Sequence, residues 1–179
     1  LSSSDDGTML DRTTGTHAPQ AVSNRINFCD KIGLNYQNIV YQQIVYGENQ
    51  AYDRMIEVDG SVTTAYIDSV SADALFTSEP GVGLFLPVAD CIAVVVYDPV
   101  KKYLAMVHLG RHSTVANLMS KVLQKFVNHG SRTSDILVWM SPSAKRETYV
   151  MKWFDFEDDP SWQNFINKTS EGIYLDLPG

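Results

Sequence analysis

Two apolar, β-branched runs joined by a short turn constrain this fold more than any other part of the sequence. The first run spans residues 91–97 and the second spans residues 103–107. Between them, the segment 98–101 reads Asp-Pro-Val-Lys, which fits a type I turn. Runs that are apolar on both faces are typical of central strands in a sheet that is covered on both sides. The sequence therefore predicts a β-hairpin deep in the core.

The register of this hairpin predicts that a thiol and an imidazole lie side by side. If residues 98–101 form the loop, counting back along both strands pairs Cys91 with His108 on one face. A thiolate beside an imidazole is either a pair of metal ligands or a nucleophile with its base. The alternative is a core thiol and a structural histidine. Asp90 precedes the thiol, so Asp90, Cys91 and His108 are the candidate catalytic residues.

Composition indicates one folded domain. The chain has 179 residues, of which 44% are hydrophobic and 20% are charged, and this is enough to bury one sizeable core. We see no linker that separates two domains. We expect a polar N-terminal segment over residues 1–19 and a single α+β domain over residues 20–179.

Charge and cysteine content exclude several classes of protein. The formal net charge of −7 argues against a nucleic-acid partner, because such binding relies on Lys and Arg. Two cysteines do not make a disulfide framework, which favours a reducing compartment. No apolar stretch is long enough to span a bilayer and no leader precedes the domain, so we expect a cytoplasmic protein without a membrane partner.

Periodicity predicts the other elements. An apolar spacing over residues 22–32, ending at Gly33, predicts a helix with Cys29 in the core. A stronger stripe over residues 115–126 predicts a second helix, with Ser113 or Thr114 as its N-cap. The remaining expectations are β-rich runs at 38–46 and 51–58, a buried strand at 136–140, a short helix from 160 through 166 and a strand at 173–177.

The start of the second helix is a candidate anion site. Free backbone N–H groups and the helix dipole favour an anion there, and three neighbouring side chains add donors. Arg111, His112 and Ser113 are therefore candidate phosphate-binding residues. The alternative is ordinary helix capping beside a surface arginine.

Several short motifs resemble one known family over nearly the whole chain. In chain order they are Asn-Arg at 24–25, Val-Tyr-Gly at 45–47, Ala-Asp-Ala-Leu at 72–75, Ala-Asp-Cys at 89–91, His-Leu-Gly at 108–110, Ser-Pro at 141–142 with Tyr149 downstream, and Leu-Asp-Leu at 175–177. This set is similar to the YfiH-like, or laccase-domain, family, once named multicopper polyphenol oxidases and also known as purine nucleoside phosphorylases.

The resemblance implies a fold, a cofactor and an activity. It implies a single α+β domain in which mixed β-sheets pack between helices, in the layer order α/β/β/α. It implies one zinc ion held by a cysteine and two histidines, and phosphorolysis of adenosine- or inosine-type nucleosides, with adenosine deamination as a companion activity. The partners would be a purine nucleoside and phosphate, and an oligomer stays open.

The sequence departs from the family pattern at the site. Cys91 and His108 match two zinc ligands, but Tyr46 stands where the pattern requires the third, a histidine. Arg111 and His112 replace the family's Trp and Arg, and the N-terminal phosphate element falls on residues 3–4 without its arginine. From the resemblance we also expect a domain that lacks the family's usual C-terminal extension. Copper chemistry is not expected, because four histidines without a cluster cannot furnish several copper sites.

Two other functions stay open beside the zinc-dependent phosphorylase. The first is a metal-free hydrolase or deamidase, with Cys91 as nucleophile and His108 as base. The second is a family member without catalysis, which acts as a binding or assembly subunit, since function follows the site and not the fold.

Overall fold

The protein is described here by a computed structural model, which covers residues 19–47, 50–154 and 156–176. The predictions for the polar N-terminal segment fall almost wholly outside the described residues. The helices are α1 (Pro19–Lys31), α2 (Arg111–Val115) and α3 (Leu118–Asn128). The strands are β1 (Ile39–Gln43), β2 (Met55–Glu57), β3 (Val70–Ser71), β4 (Ala74–Thr77), β5 (Gly83–Phe85), β6 (Ile92–Asp98), β7 (Tyr103–Leu109), β8 (Leu137–Met140), β9 (Val150–Met151), β10 (Ile166–Lys168) and β11 (Ile173–Leu175).

The predicted hairpin is the centre of the largest sheet. Strands β6 and β7 pair antiparallel, and the sheet has the order β2-β4-β7-β6-β8. Most of their side chains are buried, because the sheet is covered on both faces. The prediction of a central hairpin is therefore confirmed.

The register of the hairpin differs from the prediction by two residues. Asp98 pairs with Tyr103, so the loop is 99–102, and Ala93 rather than Cys91 stands opposite His108. The Asp98 carboxylate accepts the N–H groups of Val100 and Lys101 at 2.8 and 3.0 Å, while Lys102 has a left-handed backbone with φ of 52°. This aspartate-anchored turn moves the four-residue loop one position along the chain, from the predicted 98–101 to 99–102. The two-residue shift keeps Cys91 and His108 on one face.

The layers follow the expected order. One face of the large sheet packs on α3 in a single cluster that includes Val94, Val96 and Val122. The opposite face, through Leu75, packs with Val40 of the smaller sheet β3-β1-β5. Helix α1 covers the far side of the smaller sheet, where the rings of Phe28 and Phe85 lie 6.4 Å apart. The α/β/β/α arrangement of mixed sheets between helices is confirmed.

Strand β1 runs parallel to both of its neighbours. It pairs with β3 and with β5, so the carboxyl ends of all three strands lie at one edge. Ligands in such sheets bind beyond the carboxyl ends of the strands. The loops that follow β1 and β5 are therefore a candidate binding site.

Helix α1 buries a face that the apolar spacing did not predict. The helix ends before Gly33, which has φ of +73°, and Cys29 is buried, as predicted. However, Ile26 and Ile32 are exposed, and the buried face carries Arg25 instead. The Arg25 guanidinium lies 4.5 Å from the centre of the Tyr41 ring, so a cation–π contact takes the place of an apolar one.

The second predicted helix is broken in two. Helix α2 starts at Arg111 with Gly110 as its N-cap, and α3 starts after Asn117, which has a left-handed backbone with φ of 56°. The prediction of Ser113 or Thr114 as N-cap is wrong, because both lie inside α2. The apolar stripe itself is confirmed, since its residues pack from α3 onto the sheet.

Strand β8 was predicted to be buried, and this is wrong. It is the outer strand of the large sheet, and its four apolar side chains are between 46% and 61% exposed. An apolar run alone does not distinguish an edge strand from a central one. No helix in the described part of the chain is long and apolar enough to cross a membrane.

The last part of the chain forms a small antiparallel sheet, β10-β11-β9. Asp159 caps a short 3-10 turn, Pro160–Trp162, as predicted for a helix start. The turn does not continue as a helix, because Ile166 already belongs to β10. Trp162 and Phe154 form the buried centre of this part of the fold.

One matched pair of substitutions tests the position of β8. Val96 and Val138 are register partners, but Val96 is fully buried and Val138 is 49% exposed. We expect Val96→Ala to lower the free energy of unfolding by about 2 kcal/mol, from lost burial and the cavity left behind. We expect Val138→Ala to change it by less than about 0.5 kcal/mol. Urea unfolding measures both, and equal losses would contradict the exposed edge.

Candidate active site

A pocket of about 410 Å³ lies at the edge where the parallel strands end. It is lined by the end of β1, the loop after β5, the start of β6 and the end of β7. The lining residues are Tyr41, Gln42, Gln43, Ile44, Tyr46, Pro87, Val88, Ala89, Asp90, Cys91, His108 and Tyr149. A second cavity, of about 550 Å³ beside α3, contains none of the predicted site residues.

Cys91 and His108 converge on Gly110. A Cβ atom on Gly110 would lie 3.3 Å from both Cys91 Sγ and His108 Nε2, and only 2.9 Å from His108 Cε1. The hairpin places Gly110 just beyond the last paired residues, which are Ile92 and Leu109. The missing side chain of Gly110 thus leaves the space in which the thiol and the imidazole approach each other.

The electrostatics keep both groups neutral. Burial lowers the pKa of His108 to about 4. Burial, together with the Asp90 charge, raises the pKa of the Cys91 thiol, although the Arg111 charge opposes this. A cysteine nucleophile needs a lowered thiol pKa and a base that can accept its proton. Here the thiol pKa is raised and the imidazole pKa is lowered, so the imidazole is a weak base for a thiol that holds its proton. These two shifts do not favour the metal-free hydrolase.

Two tyrosines reach the same pocket. Burial raises the pKa of Tyr46 and of Tyr149, and the positive charge of Arg111 opposes this in both. Tyr46 is 63% exposed as a whole residue, so its ring borders the mouth of the pocket. Both hydroxyl groups are therefore neutral hydrogen-bond donors beside the thiol.

Asp90 lies at the rim of the pocket. Its side chain is exposed, and its backbone carbonyl accepts the N–H of Ala144 at 3.0 Å. The charge of Asp90 acts on Cys91 and Tyr149. Asp90 thus raises the pKa values of these two neighbours, and its catalytic role stays a prediction.

The three candidate phosphate ligands face different surroundings. The Ser113 hydroxyl is buried and donates to the His108 carbonyl at 2.9 Å while it accepts the Gly110 N–H at 2.9 Å. The His112 ring stacks on Tyr52 at 4.3 Å, and burial lowers its pKa. Only Arg111 brings a positive charge towards the thiol. The phosphate role stays a prediction, and Arg111 is its best supported member.

The residues present do not fit the zinc site that the resemblance implies. Catalytic zinc sites use three protein ligands and keep one position open. Among residues 19–47, 50–154 and 156–176, no group of three or more His, Cys, Asp or Glu side chains could hold a metal ion. Cys91 and His108 are two suitable donors, and Tyr46 could join them only as a phenolate.

Sequence reasoning missed two buried polar residues that line the pocket, Tyr41 and Gln42. Tyr41 Oη and Gln42 Oε1, like Nδ1 of the predicted His108, have no hydrogen-bond partner in the described structure. Leaving such an atom unpaired costs about 1–3 kcal/mol. Tyr41 and Gln42 could have been suspected, because they are polar residues inside a β-rich run.

The chain was compared with known proteins and structures. The profile of the family described as multi-copper polyphenol oxidoreductase laccase matches residues 8–178. The chain belongs to this family. The copper in the family's description is part of a name, and the laccase family membership by itself assigns no metal to this chain.

Relatives within the laccase family are named as phosphorylases. A purine nucleoside phosphorylase of Corynebacterium glutamicum is 31% identical over 132 residues, which are 73% of this chain and 51% of the relative. The purine nucleoside phosphorylase YlmD of Bacillus subtilis is 27% identical over 144 residues, covering 77% of this chain and 51% of the relative. The chain thus spans about half the length of these relatives.

Solved structures of the laccase family share the fold. The hypothetical protein YfiH of Bacillus licheniformis has a TM-score of 0.73 at 21% identity, over 89% of this chain and 62% of that chain. YlmD of Geobacillus stearothermophilus has a TM-score of 0.73 at 23% identity, with the same coverage. The likeness supports the layered α+β architecture.

Proposed function

We propose that this protein binds a purine nucleoside in the pocket at Cys91 and His108 and cleaves it with phosphate. The observation that carries the proposal is the convergence of thiol and imidazole on Gly110, inside a pocket at the carboxyl ends of parallel strands. Relatives at about 30% identity are named purine nucleoside phosphorylases, which supplies the substrate class.

In phosphorolysis, a phosphate oxygen forms a bond to the anomeric carbon of the ribose while the bond from that carbon to the base nitrogen breaks. The base leaves with the electron pair and takes up a proton. Neutral thiol and hydroxyl groups are suited to donate hydrogen bonds to a leaving base. Cys91, Tyr46 and Tyr149 are such groups here, since each has a raised pKa.

The experiment is incubation of the protein with adenosine or inosine and phosphate. We expect ribose 1-phosphate and the free base, measured by chromatography. A parallel sample with adenosine alone measures deamination to inosine. Arms with added zinc and with a chelator test the metal dependence of the family, since the described residues offer only two suitable donors. The absence of products in every arm would overturn the proposal and favour a non-catalytic binding subunit.

Arg111 is the expected phosphate contact. Its guanidinium contacts Met151 Sδ at 3.2 Å and lies 5.8 Å from the centre of the Phe154 ring, and from there its charge opposes the raised pKa values of Cys91, Tyr46 and Tyr149. We expect Arg111→Gln to raise the KM for phosphate about tenfold, the effect of losing one charged hydrogen bond. The KM for the nucleoside should change less, as steady-state kinetics at varied phosphate will measure.

Arg132 provides the matched control for this substitution. It is exposed and pairs with Asp135 at 2.8 Å, and its charge is not among those that shift the pKa values of Cys91, Tyr46 and Tyr149. Arg132→Gln should leave both KM values unchanged. If the two variants have the same KM for phosphate, Arg111 does not bind it.

A further inference from the structure

Gln42 has a buried amide whose orientation is determined by its surroundings. It is 1% exposed, and its Nε2 donates to the backbone carbonyl of Ala72 at 3.1 Å. A carbonyl oxygen only accepts hydrogen bonds, so the nitrogen end of the amide must face Ala72. The oxygen end is therefore the end that points away from this contact.

That oxygen has no hydrogen-bond partner within the described residues, although Gln42 lines the pocket that contains Cys91. A second buried atom among the pocket residues, His108 Nδ1, shares this property. Buried polar atoms in native proteins are nearly always paired with protein, water or a ligand. Two such atoms beside one pocket indicate a wall that is built to contact a polar molecule.

The chemistry of the Gln42 oxygen restricts what it can contact. An amide oxygen accepts hydrogen bonds and donates none, so it attracts an N–H or O–H group and disfavours phosphate. A phosphate would instead suit a positive charge such as that of Arg111, whose guanidinium contacts Met151 Sδ at 3.2 Å. Gln42 and Arg111 thus suit different chemical groups of a nucleoside and phosphate pair.

We infer that Gln42 selects the nucleoside by accepting a hydrogen bond from one of its N–H or O–H donors. This inference rests on the proposed function, because nucleosides are the ligands that it concerns. In adenosine the donors are the exocyclic amine of the base and the ribose hydroxyl groups. Gln42 is a specificity-determining residue, and it takes no part in bond breaking.

The test compares ligands that differ by one donor. Binding to the whole protein is measured by calorimetry for adenosine, for purine riboside, which lacks the exocyclic amine, and for 2′-, 3′- and 5′-deoxyadenosine. We expect one of these analogues to bind about tenfold more weakly than adenosine, because it leaves the Gln42 oxygen unpaired. This series uses the unaltered protein and does not depend on the folding of any variant.

A pair of glutamine variants completes the test. Gln42→Met should abolish the tenfold preference. Gln37→Met should keep it, because Gln37 is exposed and is not among the residues that line the pocket. Equal affinity of the unaltered protein for all five ligands, or a preference that persists in Gln42→Met, would overturn the inference.

Turnover measured in the same samples separates this inference from the proposed function. Donor-dependent binding without ribose 1-phosphate would overturn the phosphorylase and support the role of Gln42. Turnover without donor dependence would overturn the role of Gln42 alone. The absence of binding by every nucleoside would overturn both.

Discussion

Replacing Gly110 with alanine should reduce phosphorolysis about hundredfold. The added Cβ would lie 2.9 Å from His108 Cε1 and 3.3 Å from Cys91 Sγ. His108 is 96% buried and cannot move away easily, so the ring or the α2 start must shift. A displacement of about 1 Å in a catalytic group can cost a factor of about 100. The free energy of unfolding should fall by about 1–3 kcal/mol, as for other overpacked positions. Product formation and urea unfolding measure the two effects.

Gly60→Ala is the control for this substitution. A Cβ at Gly60 would approach Glu79 Oε1 at 3.0 Å, but that atom is the end of an exposed, flexible side chain. We expect nearly unchanged activity in the Gly60 variant. If Gly110→Ala retains full activity while folded, the space between thiol and imidazole is not required for the reaction.

Lowering the pH should destabilise the protein through His108. Its pKa is about 4 in the folded protein, against 6.5 for an unperturbed histidine, because burial disfavours the charged ring. Between these values the unfolded chain binds a proton that the folded chain does not, so stability falls with falling pH. At about 1.4 kcal/mol per pKa unit, the loss reaches about 3 kcal/mol near pH 4, and it is absent above pH 6.5.

The measurement compares the unaltered protein with His108→Leu and His108→Gln in urea, at several pH values from 4 to 7.5, with a chelator present. Other groups, including His112 and the carboxylates, titrate in all three proteins, so the difference between the curves isolates His108. The variants should lack about 3 kcal/mol of the pH dependence. Parallel curves for all three proteins would contradict the burial of a neutral imidazole.

The hairpin shows how far the sequence alone could predict the site. Residue types and alternation predicted the two strands and the shared face of Cys91 and His108, because a register shift of two residues preserves the face. The exact pairing depended on the loop, where the Asp98 carboxylate and the left-handed Lys102 place the four-residue turn at 99–102. A type I turn over 98–101 leaves Lys102 in the strand, so the predicted pairing was wrong by two residues.

The wrong predictions of which side chains are buried in α1 and β8 have a common physical origin. The apolar runs at α1 and β8 indicated elements correctly, but burial depends on what covers each element in the fold. Arg25 is buried because an aromatic ring lies beneath it, and Trp139 is exposed because its strand has a neighbour on one side only. The sequence did not predict a role for Gln42 for the same reason. Its buried, unpaired oxygen is recognised only when the contact with Ala72 and the surrounding pocket are known.

The edge formed by the carboxyl ends of the parallel strands has a consequence for how this protein can evolve. Tyr46 is exposed in the loop after β1 and Arg111 is half-buried at the start of α2, whereas the buried core lies mainly in strands and in α3. Replacements at loop and helix-end positions cost little stability, so selection can alter them without endangering the scaffold. We therefore expect the architecture to persist while the residues around the mouth of the pocket change.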